Sequence, residues 1–494
     1  MDVTVVGSGP NGLAAAVICA RAGLRVRVIE AQPTPGGGAR SAADPEYPGV
    51  RHDICSAVHP LALVSPFFTE FDLAARGVQL VTPEISYANP LPAGASAATG
   101  KLSGASAGNL SGRAAIAYRS LERTCAELEH GRSWRRLFGP LTEHAGAVTD
   151  FFLGDKRSLP RDLVTTVRTG LRVLAQGTPA WGTLRGDDAR ALFTGVGAHA
   201  IHRMPSPVNS GAGIMLGTVA HTDGWPVPVG GTQSITDALI ADLHAHGGEL
   251  VVGEPVTRAP EGVVIYDTAP TALLDIYGPA VPARYAKALR RYRYGPGVCK
   301  IDFVLSGEIP WRDQRLRDAV TVHLGGTREQ MAHAESEIAG GRHAEHPMTL
   351  AALPHVADPS RIDAAGRRPL WTYVHVPAGS TLDLTETVTG LFEDAAPGFR
   401  DLVLAARAVP AAEMSFHNAN YVGGDIIVGG ATLTAALIGP TLRANPWTTP
   451  LPKAYLCSSA TPPGTAVHGM CGYYAARTVL GREFGIRELP SLTP

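Results

Sequence analysis

A chain of 494 residues is longer than one hydrophobic core usually supports, so two domains are expected. Its hydrophobic content of 45% and charged content of 18% are typical of a well-buried globular protein. The formal net charge is −1 and no block of basic residues occurs, which argues against nucleic acid as a partner.

The sequence has no pattern of a targeting signal or of paired cysteines. No basic leader precedes the first apolar run, and no uninterrupted apolar stretch reaches the roughly 18 residues of a membrane-spanning helix. The six cysteines form no Cys-x-x-Cys pair, and His343 and His346 have helical spacing but no third ligand nearby. We therefore expect a cytoplasmic protein with no transmembrane segment and no bound metal.

The first thirty residues have the pattern of a nucleotide-binding strand–helix–strand unit. Valines lead into the turn Gly-Ser-Gly-Pro-Asn-Gly at residues 7–12, an alanine-rich helix follows, and a second β-branched run ends in Glu30. Gly7 permits the tight turn, Gly9 lets a pyrophosphate approach the backbone, and Gly12 lets helix and strand pack closely. The stretch predicts a dinucleotide site, with Glu30 at the ribose hydroxyls.

A glycine-rich connection follows at residues 33–41. Three successive glycines at 36–38 can fold into a concave nest of N–H groups, and Arg40 adds positive charge beside it. We predict a second pyrophosphate contact here; a flexible surface loop is the alternative.

The middle of the chain predicts a helical insert. Residues 61–77 indicate a short helix and turn, followed by a strand at 78–82, and an Ala-, Ser- and Gly-rich surface loop is expected at residues 94–112. Helical spacing then recurs at residues 118–129, 134–152, 159–174 and 187–199.

The second half alternates strands with helices. Residues 225–232 read Trp-Pro-Val-Pro-Val-Gly-Gly-Thr, and an amphipathic helix is predicted directly after them over Gln233–Ala245. Strands are predicted at residues 250–252, 255–256, 263–266, 298–305, 320–324, 348–353 and 370–376. Helices are predicted at 328–338 and 383–396, the latter opened by a capping box of Asp383 and Glu386.

Near its end the chain again has the order strand, glycine turn, helix. An apolar strand at residues 454–457 leads into a Pro/Gly turn at 458–465, and a helix is predicted from about residue 467 to 480. Such a turn presents backbone N–H groups to a negative or electron-rich ligand.

Together, these motifs resemble those of the phytoene-dehydrogenase-like flavoproteins, relatives of carotenoid desaturases and amine oxidases. The resemblance extends over nearly the whole chain. Its motifs are VVGSGPNGLAAA at residues 5–16, GGGARS at 36–41, RHDICSAVHP at 51–60, GWPVPVGGTQ at 224–233, GGDIIVG at 423–429 and PPGTAVHGMCG at 462–472.

The resemblance implies an α/β fold with a Rossmann-like FAD-binding domain of the discontinuous GR2 type. This domain would comprise residues 1–62, 228–278 and 453–494. An interleaved substrate domain of mixed β-sheet and helices would comprise residues 63–227 and 279–452. The implied cofactor is FAD, bound in an extended form.

The resemblance also implies which residues bind FAD. The first turn would hold the pyrophosphate, Gly38 and Arg40 would flank it, Val256 would meet adenine, and the last turn would meet the flavin. The full set is Gly7, Gly9, Pro10, Asn11, Gly12, Glu30, Gly38, Arg40, Ser56, His59, Val256, Val467, His468, Gly469 and Met470.

Bound FAD would accept a hydride from a substrate C–H bond, and a histidine could take the accompanying proton. The candidate bases are His59, which ranks first because its loop is expected to pass near the flavin ring, and His221 and His417. The substrate is expected to be small or lipid-like, and the chain could form oligomers. Oxygen, quinone and nicotinamide all stay open as electron acceptors.

Two other functions fit the same motifs. One is a redox-neutral isomerase, and the other is a flavin-binding subunit without catalytic activity. All three functions require the turns at residues 7–12 and 464–470 to lie along one elongated cavity.

Overall fold

The computed structural model describes residues 1–92, 110–430, 439–441 and 443–494. The first half of these ranges contains the strands β1 Val3–Val6, β2 Val26–Ile29, β3 Ser41–Ala43, β4 Arg51–Asp53, β5 Leu80–Val81, β6 Ile85–Pro92, β7 Leu110–Tyr118 and β8 Val227–Pro228. The second half contains β9 Glu249–Val251, β10 Val263–Tyr266, β11 Gly297–Leu305, β12 Thr321–Leu324, β13 Thr349–Ala352, β14 Arg368–Val376, β15 Val403–Val409 and β16 Ala454–Leu456.

The helices fall into the same two halves. The first eight are α1 Pro10–Arg21, α2 Pro60–Val64, α3 Pro66–Phe71, α4 Leu121–Glu127, α5 Gly131–Thr142, α6 Ala145–Leu153, α7 Leu163–Gln176 and α8 Asp187–Gly197. The others are α9 Pro207–Ala220, α10 Gln233–Ala245, α11 Ala272–Tyr277, α12 Ala283–Arg290, α13 Arg328–Ala339, α14 Thr385–Ala395, α15 Met414–His417 and α16 Met470–Glu483.

A five-stranded parallel sheet has the order β16-β10-β1-β2-β9. Its β1 is buried throughout, as its run of apolar and β-branched residues predicts. Helix α1 begins at Pro10 directly after Gly9, and Gly23 adopts a φ of +82° just past its end. Parallel strands place their carboxyl ends at one edge, so the segments after β1, β10 and β16 meet there.

A second, seven-stranded sheet has the order β15-β11-β14-β13-β12-β6-β7 and is antiparallel except where β12 meets β6. One of its faces packs in an apolar cluster with α14, including Phe392 of that helix. The other face carries polar and aromatic side chains and turns toward the first sheet. A cavity lies between this face and the first sheet.

Helices α6, α7 and α9 line one side of this cavity. Helix α9 is rich in glycine because it packs against rings. A Cβ added to Gly213 would lie 2.9 Å from Phe193, and one added to Gly217 would lie 2.5 Å from Phe138. Glycines are usually typical of loops, but in α9 they form the face that packs against these aromatic rings.

Several sequence predictions were wrong. Tyr118 ends strand β7 instead of starting a helix, and residues 255–256 lie outside any strand. Helices α9, α11 and α12 and strand β15 were not predicted. Most of the loop predicted at residues 94–112 lies outside the described residues. Helix α10 and strand β10 have the bounds that the sequence predicts.

The capping box predicted for α14 does not form. The Asp383 carboxylate accepts the N–H of Thr385, while Glu386 pairs with Arg400. A capping box forms instead at α13, between Thr327 and Gln330.

Helix α7 presents an apolar face to solvent. Leu163, Val167 and Leu171 are 63%, 52% and 60% exposed, whereas most large apolar side chains of the described residues are buried. None of the described helices is both long and apolar enough to span a membrane.

The first and last helices touch backbone to backbone. A Cβ added to Gly472 of α16 would overlap the carbonyl oxygen of Asn11 in α1. Only glycine therefore lets α16 approach the glycine turn this closely.

We expect Gly472→Ala to lower the free energy of unfolding, because overpacking a tight contact costs about 1–3 kcal/mol. Gly481→Ala on the same helix is the matched control. Its new Cβ would lie 3.8 Å from the nearest atom, the Ile486 carbonyl oxygen, so it should be neutral or stabilise by up to about 1 kcal/mol. Thermal or urea unfolding measures both variants, and equal effects would contradict this packing.

Candidate functional site

One elongated cavity of about 940 Å³ runs from the parallel sheet to the seven-stranded sheet. Its lining includes residues 7–11 of the first glycine turn and residues 463–467 of the last turn. Two segments from opposite ends of the chain thus share one cavity, as the sequence motifs require.

The glycine turn after β1 is packed without space for side chains. A Cβ on Gly7 would lie 2.8 Å from the Asp267 carbonyl oxygen, and one on Gly12 would overlap the carbonyl oxygen of Gly7. Gly7 also has a φ of +97°, a conformation that favours glycine. Gly12 lies behind the cavity lining, whereas Gly7, Gly9, Pro10 and Asn11 form part of it.

Glu30 lies at the carboxyl end of β2, and its side chain is buried. Its carboxylate accepts hydrogen bonds from the N–H and hydroxyl of Ser8, at 2.9 and 2.6 Å, and from the N–H of Gln32 at 2.8 Å. These bonds fix the carboxylate at the cavity wall, where the sequence predicts the ribose contact.

Asp267, at the end of β10, was not predicted as a site residue. Its carboxylate accepts the N–H of Gly12 at 3.0 Å. This N–H lies at the start of α1, where the sequence predicts that the free N–H groups bind phosphate. Burial raises the pKa of Asp267 from 3.8 to about 7, and the nearby Glu30 carboxylate adds to the rise. The sequence signal that could have found it is its place directly after the apolar strand predicted at residues 263–266, since site residues often follow the carboxyl ends of parallel strands.

Three buried polar atoms at this edge have no hydrogen-bond partner among the described residues. They are Asn11 Oδ1, Thr268 Oγ1 and Ser458 Oγ. All three residues line the cavity, and they follow β1, β10 and β16, the strands whose carboxyl ends meet here. Unpaired buried polar groups are costly, so this edge has the donors and acceptors of a polar ligand site.

The glycine-rich loop at residues 36–38 packs against the first glycine turn. A Cβ on Gly37 would lie 2.9 Å from the Cα of Gly9, and Gly38 lines the cavity. Arg40 does not line it. The Arg40 guanidinium donates to the carbonyl oxygens of Gly37 and His417 and to the hydroxyl of Thr34, so it braces the loop from behind.

The last turn contributes more of its early residues than the sequence predicts. Residues 458–461 and 463–467, including Val467, line the cavity, whereas His468, Gly469 and Met470 lie behind the lining. The His468 ring contacts the Gly464 carbonyl oxygen through Nε2 at 3.1 Å and accepts the Met470 N–H at 3.0 Å. Burial lowers the pKa of His468 to about 4, so a neutral ring closes the turn and caps α16.

His59 lines the cavity in a defined tautomer. The Thr232 hydroxyl donates to the Ser56 carbonyl oxygen at 2.7 Å, so it must accept from His59 Nε2 at 2.8 Å. The Nδ1 lone pair then points toward the Ser56 hydroxyl, 3.5 Å away, which is too far for a strong bond. Burial lowers the pKa of His59 to about 4, which keeps the ring neutral.

The other two candidate histidines differ in position. His417 lines the cavity, and burial together with the charge of Arg40 lowers its pKa. His221 lies outside the lining. Its Nε2 accepts from the Trp134 indole at 2.8 Å and its Nδ1 contacts the Tyr118 carbonyl oxygen at 2.8 Å, so both ring nitrogens hold the helical layer together. Its position therefore gives no support to a catalytic role.

Val256 lines the cavity beside Glu254 and Pro255, in the half formed by the parallel sheet, where the Glu30 carbonyl oxygen accepts the N–H of Glu254 at 3.0 Å. It lies in an irregular segment and not in the strand predicted at residues 255–256. No cluster of three or more potential metal ligands occurs within the described ranges.

Comparisons with known proteins agree with this architecture. A model of the NAD(P)-binding Rossmann-like domain matches residues 5–71. An uncharacterized protein of Mycobacterium tuberculosis is 28% identical over an alignment of 553 residues, which covers 99% of this chain and 98% of the relative. A hydroxyneurosporene desaturase of Rhodobacter capsulatus is 55% identical over 47 residues, 10% of each chain.

Two solved structures share the fold. A putrescine oxidase bound to putrescine is 17% identical, with a TM-score of 0.58 and coverage of 97% of this chain and 99% of that one. The cyclohexylamine oxidase of Brevibacterium oxydans is 12% identical, with a TM-score of 0.58 and coverage of 98% and 99%. The chain thus has a Rossmann-like domain within the fold of amine oxidases, which confirms the predicted α/β class.

Asp267 makes stability depend on pH. A carboxyl group whose pKa is higher in the folded state than in the unfolded state stabilises most at low pH, and this contribution is lost as pH rises through about 7. We expect wild type to lose stability relative to Asp267→Asn between about pH 4 and pH 7, by at most about 1.4 kcal/mol per pH unit. Urea unfolding of both proteins across this range measures the difference, and a constant difference would contradict a protonated Asp267.

Proposed function

We propose that this protein is an FAD-dependent oxidoreductase of the phytoene-dehydrogenase-like type, which removes two hydrogens from a small or apolar organic substrate. The observation that carries the proposal is the cavity shared by residues 7–11 of the first glycine turn and residues 463–467 of the last turn. A dinucleotide in extended form needs such a cavity, with a parallel-sheet edge at one end and space for substrate at the other.

The residues of the sheet edge fit a dinucleotide. The turn at Gly7 and Gly9 leaves the backbone open to a phosphate, and Glu30 lies where the ribose hydroxyls of such a ligand bind. The hydroxyls of Thr268 and Ser458 have no partner among the described residues and can donate to phosphate oxygens. In this proposal Val256 lies at the adenine end, and Ser56, His59 and Val467 lie at the flavin end.

Whether a dinucleotide binds at this edge depends on the protonation state of Asp267. Its carboxylate lies against the glycine turn, so a negative charge there would repel a pyrophosphate. A pKa near 7 lets Asp267 take up a proton when the ligand binds. The neutral carboxyl can then donate a hydrogen bond at the turn.

Bound FAD supplies the hydride acceptor for the reaction. The chain's own contribution is to exclude water, orient the substrate and receive a proton. We assign the last role to His59, since it lines the cavity and its Nδ1 lone pair has no strong partner among the described residues. His417 is the alternative base, because it also lines the cavity.

The amine oxidases that share the fold and the desaturase that matches a short segment support oxidation of an organic substrate. Dehydrogenation and isomerisation differ in the mass of the product. A dehydrogenase removes two hydrogens, whereas a redox-neutral isomerase leaves the mass unchanged. A non-catalytic subunit would bind flavin that no substrate or chemical reductant reduces.

We expect the purified protein to be yellow and to release FAD on denaturation. Thr268→Val and Ser458→Ala should each weaken FAD binding about 10- to 100-fold, since each loses a hydrogen bond to a charged group. Thr389→Val is the control, because its hydroxyl donates to the Thr385 carbonyl oxygen on the remote helix α14. Flavin fluorescence titration of the apoprotein measures the affinities. A colourless protein that FAD does not reconstitute would refute the proposal.

We expect His59→Gln to slow reduction of the flavin by substrate at least about 100-fold, since general bases contribute this much or more. FAD content should stay unchanged, because the ring lies at the flavin end and not at the phosphates. Anaerobic stopped-flow absorbance with a panel of candidate substrates measures the rate. If His417→Gln has this effect and His59→Gln does not, the base is His417.

A further inference from the structure

The far end of the cavity is a face of the seven-stranded sheet with an ordered set of side chains. Thr321, Ala352 and Trp371 form one row across β12, β13 and β14, and His323, Leu350 and Tyr373 form the next. Thr321, Ala352, Trp371, Leu350 and Tyr373 line the cavity. We call this face the sheet floor.

Two donors on the sheet floor have no partner among the described residues. Thr321 Oγ1 and Trp371 Nε1 are buried and unpaired, and their residues are only 3% and 6% exposed. Ala352 lies between them in the row, and its small side chain leaves a depression in the floor. An indole N–H donates only, so a ligand here must offer Trp371 an acceptor.

A chain of hydrogen bonds beside the floor has a fixed direction. The Ala191 carbonyl oxygen can only accept, so the Asn89 amide nitrogen donates to it at 3.3 Å. The Asn89 Oδ1 atom must then accept from His323 Nδ1, also at 3.3 Å. His323 Nε2 therefore has the lone pair and accepts from His199 Nε2 at 3.1 Å.

Because His199 donates through Nε2 in this series of hydrogen bonds, its Nδ1 is unprotonated. Burial lowers the pKa of His199 to about 3 and that of His323 well below its ordinary value, so both rings are neutral. His199 lines the cavity and packs edge-on against Trp225, with ring centroids 5.5 Å apart. Its Nδ1 has no protein partner in the ranges that the structure describes, so this side of the cavity provides an acceptor.

Gly195 of α8 leaves the space that this series of hydrogen bonds needs. A Cβ at this position would overlap the Asn89 amide nitrogen and lie 2.9 Å from His323 Nδ1. The helix thus brings Ala191 close enough to orient the Asn89 amide, and the glycine leaves space for it.

On the basis of the oxidoreductase function proposed above, we propose that the sheet floor binds the hydroxyl group of a neutral, otherwise apolar substrate. A hydroxyl can accept a hydrogen bond, as the Trp371 indole requires, and it can also donate one, as His199 Nδ1 requires; both residues line the cavity. A ketone only accepts, and an ammonium group only donates. The apolar part of the substrate would contact the remaining lining, which includes Phe151, Phe152, Val208, Met215, Leu216 and Leu350.

The placement of charge supports a neutral substrate. The carboxylates that line the cavity are Glu30, Glu254, Asp267 and Asp275, all in the half formed by the parallel sheet. Among the described residues, no carboxylate lines the floor, so an ammonium group would be buried there without a counter-ion.

The first test measures the tautomers directly. Nitrogen-15 NMR of the purified protein labelled at histidine, assigned with His199→Leu, should show His323 protonated at Nδ1 and His199 protonated at Nε2. A positively charged ring, or a proton on His199 Nδ1, would overturn the proposal. This readout needs no substrate and no turnover.

The second test compares three probes of one shape, 4-tert-butylcyclohexanol, the corresponding ketone and the corresponding amine, by calorimetric titration at pH 7. We expect the alcohol to bind roughly tenfold more tightly than the ketone or the amine, which is the worth of one hydrogen bond. Tighter binding of the amine, or equal binding of all three, would overturn the proposal.

Two variants separate the roles of the contacts. His199→Leu should abolish the preference for alcohol over ketone, whereas Trp371→Phe should weaken both ligands and keep the preference. His202→Leu is the matched control, since its Nδ1 contacts only the neighbouring Arg203 carbonyl oxygen and it lies outside the lining. The FAD content of the same samples distinguishes failure of this proposal from failure of the oxidoreductase proposal.

Discussion

The structure depends on backbone contacts that only glycine permits. At the end of β1 the chain turns so tightly that a Cβ on Gly12 would overlap the carbonyl oxygen of Gly7, and Gly472 of α16 has the same relation to Asn11. These two contacts place the last helix beside the first turn. The segments after β1, β10 and β16 then meet at one edge, and the cavity begins there. Any side chain at these positions would separate parts of the site that lie more than 450 residues apart in the chain.

Burial gives the polar groups around the cavity their chemical state. The rings of His59, His199, His323 and His468 all have lowered pKa values because the protein removes them from water. The same effect raises the pKa of Asp267. The cavity lining near the sheet floor carries no carboxylate among the described residues. Its polar groups differ in whether they donate or accept a hydrogen bond, and not in charge.

The sequence predicts the parts of this site that depend on local pattern. The strand, turn and helix of residues 3–21 could be predicted because glycine spacing and apolar runs are sufficient to specify them. The helix α9 could not, because its glycines are required by the rings of Phe138 and Phe193, which are distant in sequence. Strand β7 was missed because its pairing with β6 spans a long connection and its small residues alternate weakly.

The roles of single side chains were predictable only in part. Arg40 was expected at phosphate, but its donors are taken by carbonyl oxygens that its loop and His417 bring to it. His221 was a candidate base, but Trp134 and Tyr118 occupy both of its ring nitrogens. Asp267, Asn89 and His199 gain their significance from strand register and helix packing, which one sequence does not reveal. A histidine's neighbours in space decide whether it is structural or available to a ligand.

The distribution of charge shows how one fold can serve different substrates. Amine oxidases share this architecture, and a ligand amine in such a cavity needs either a counter-ion or deprotonation before it is buried. Here the acidic lining residues are confined to the half beside the parallel sheet, whereas the sheet floor has an indole donor, and His199 elsewhere in the lining has a neutral imidazole acceptor. The strands that form the floor can keep their backbone register while the residues at positions such as 321, 323 and 371 change. The backbone thus determines where a substrate lies, and the cross-strand rows of side chains determine which polar group it must carry.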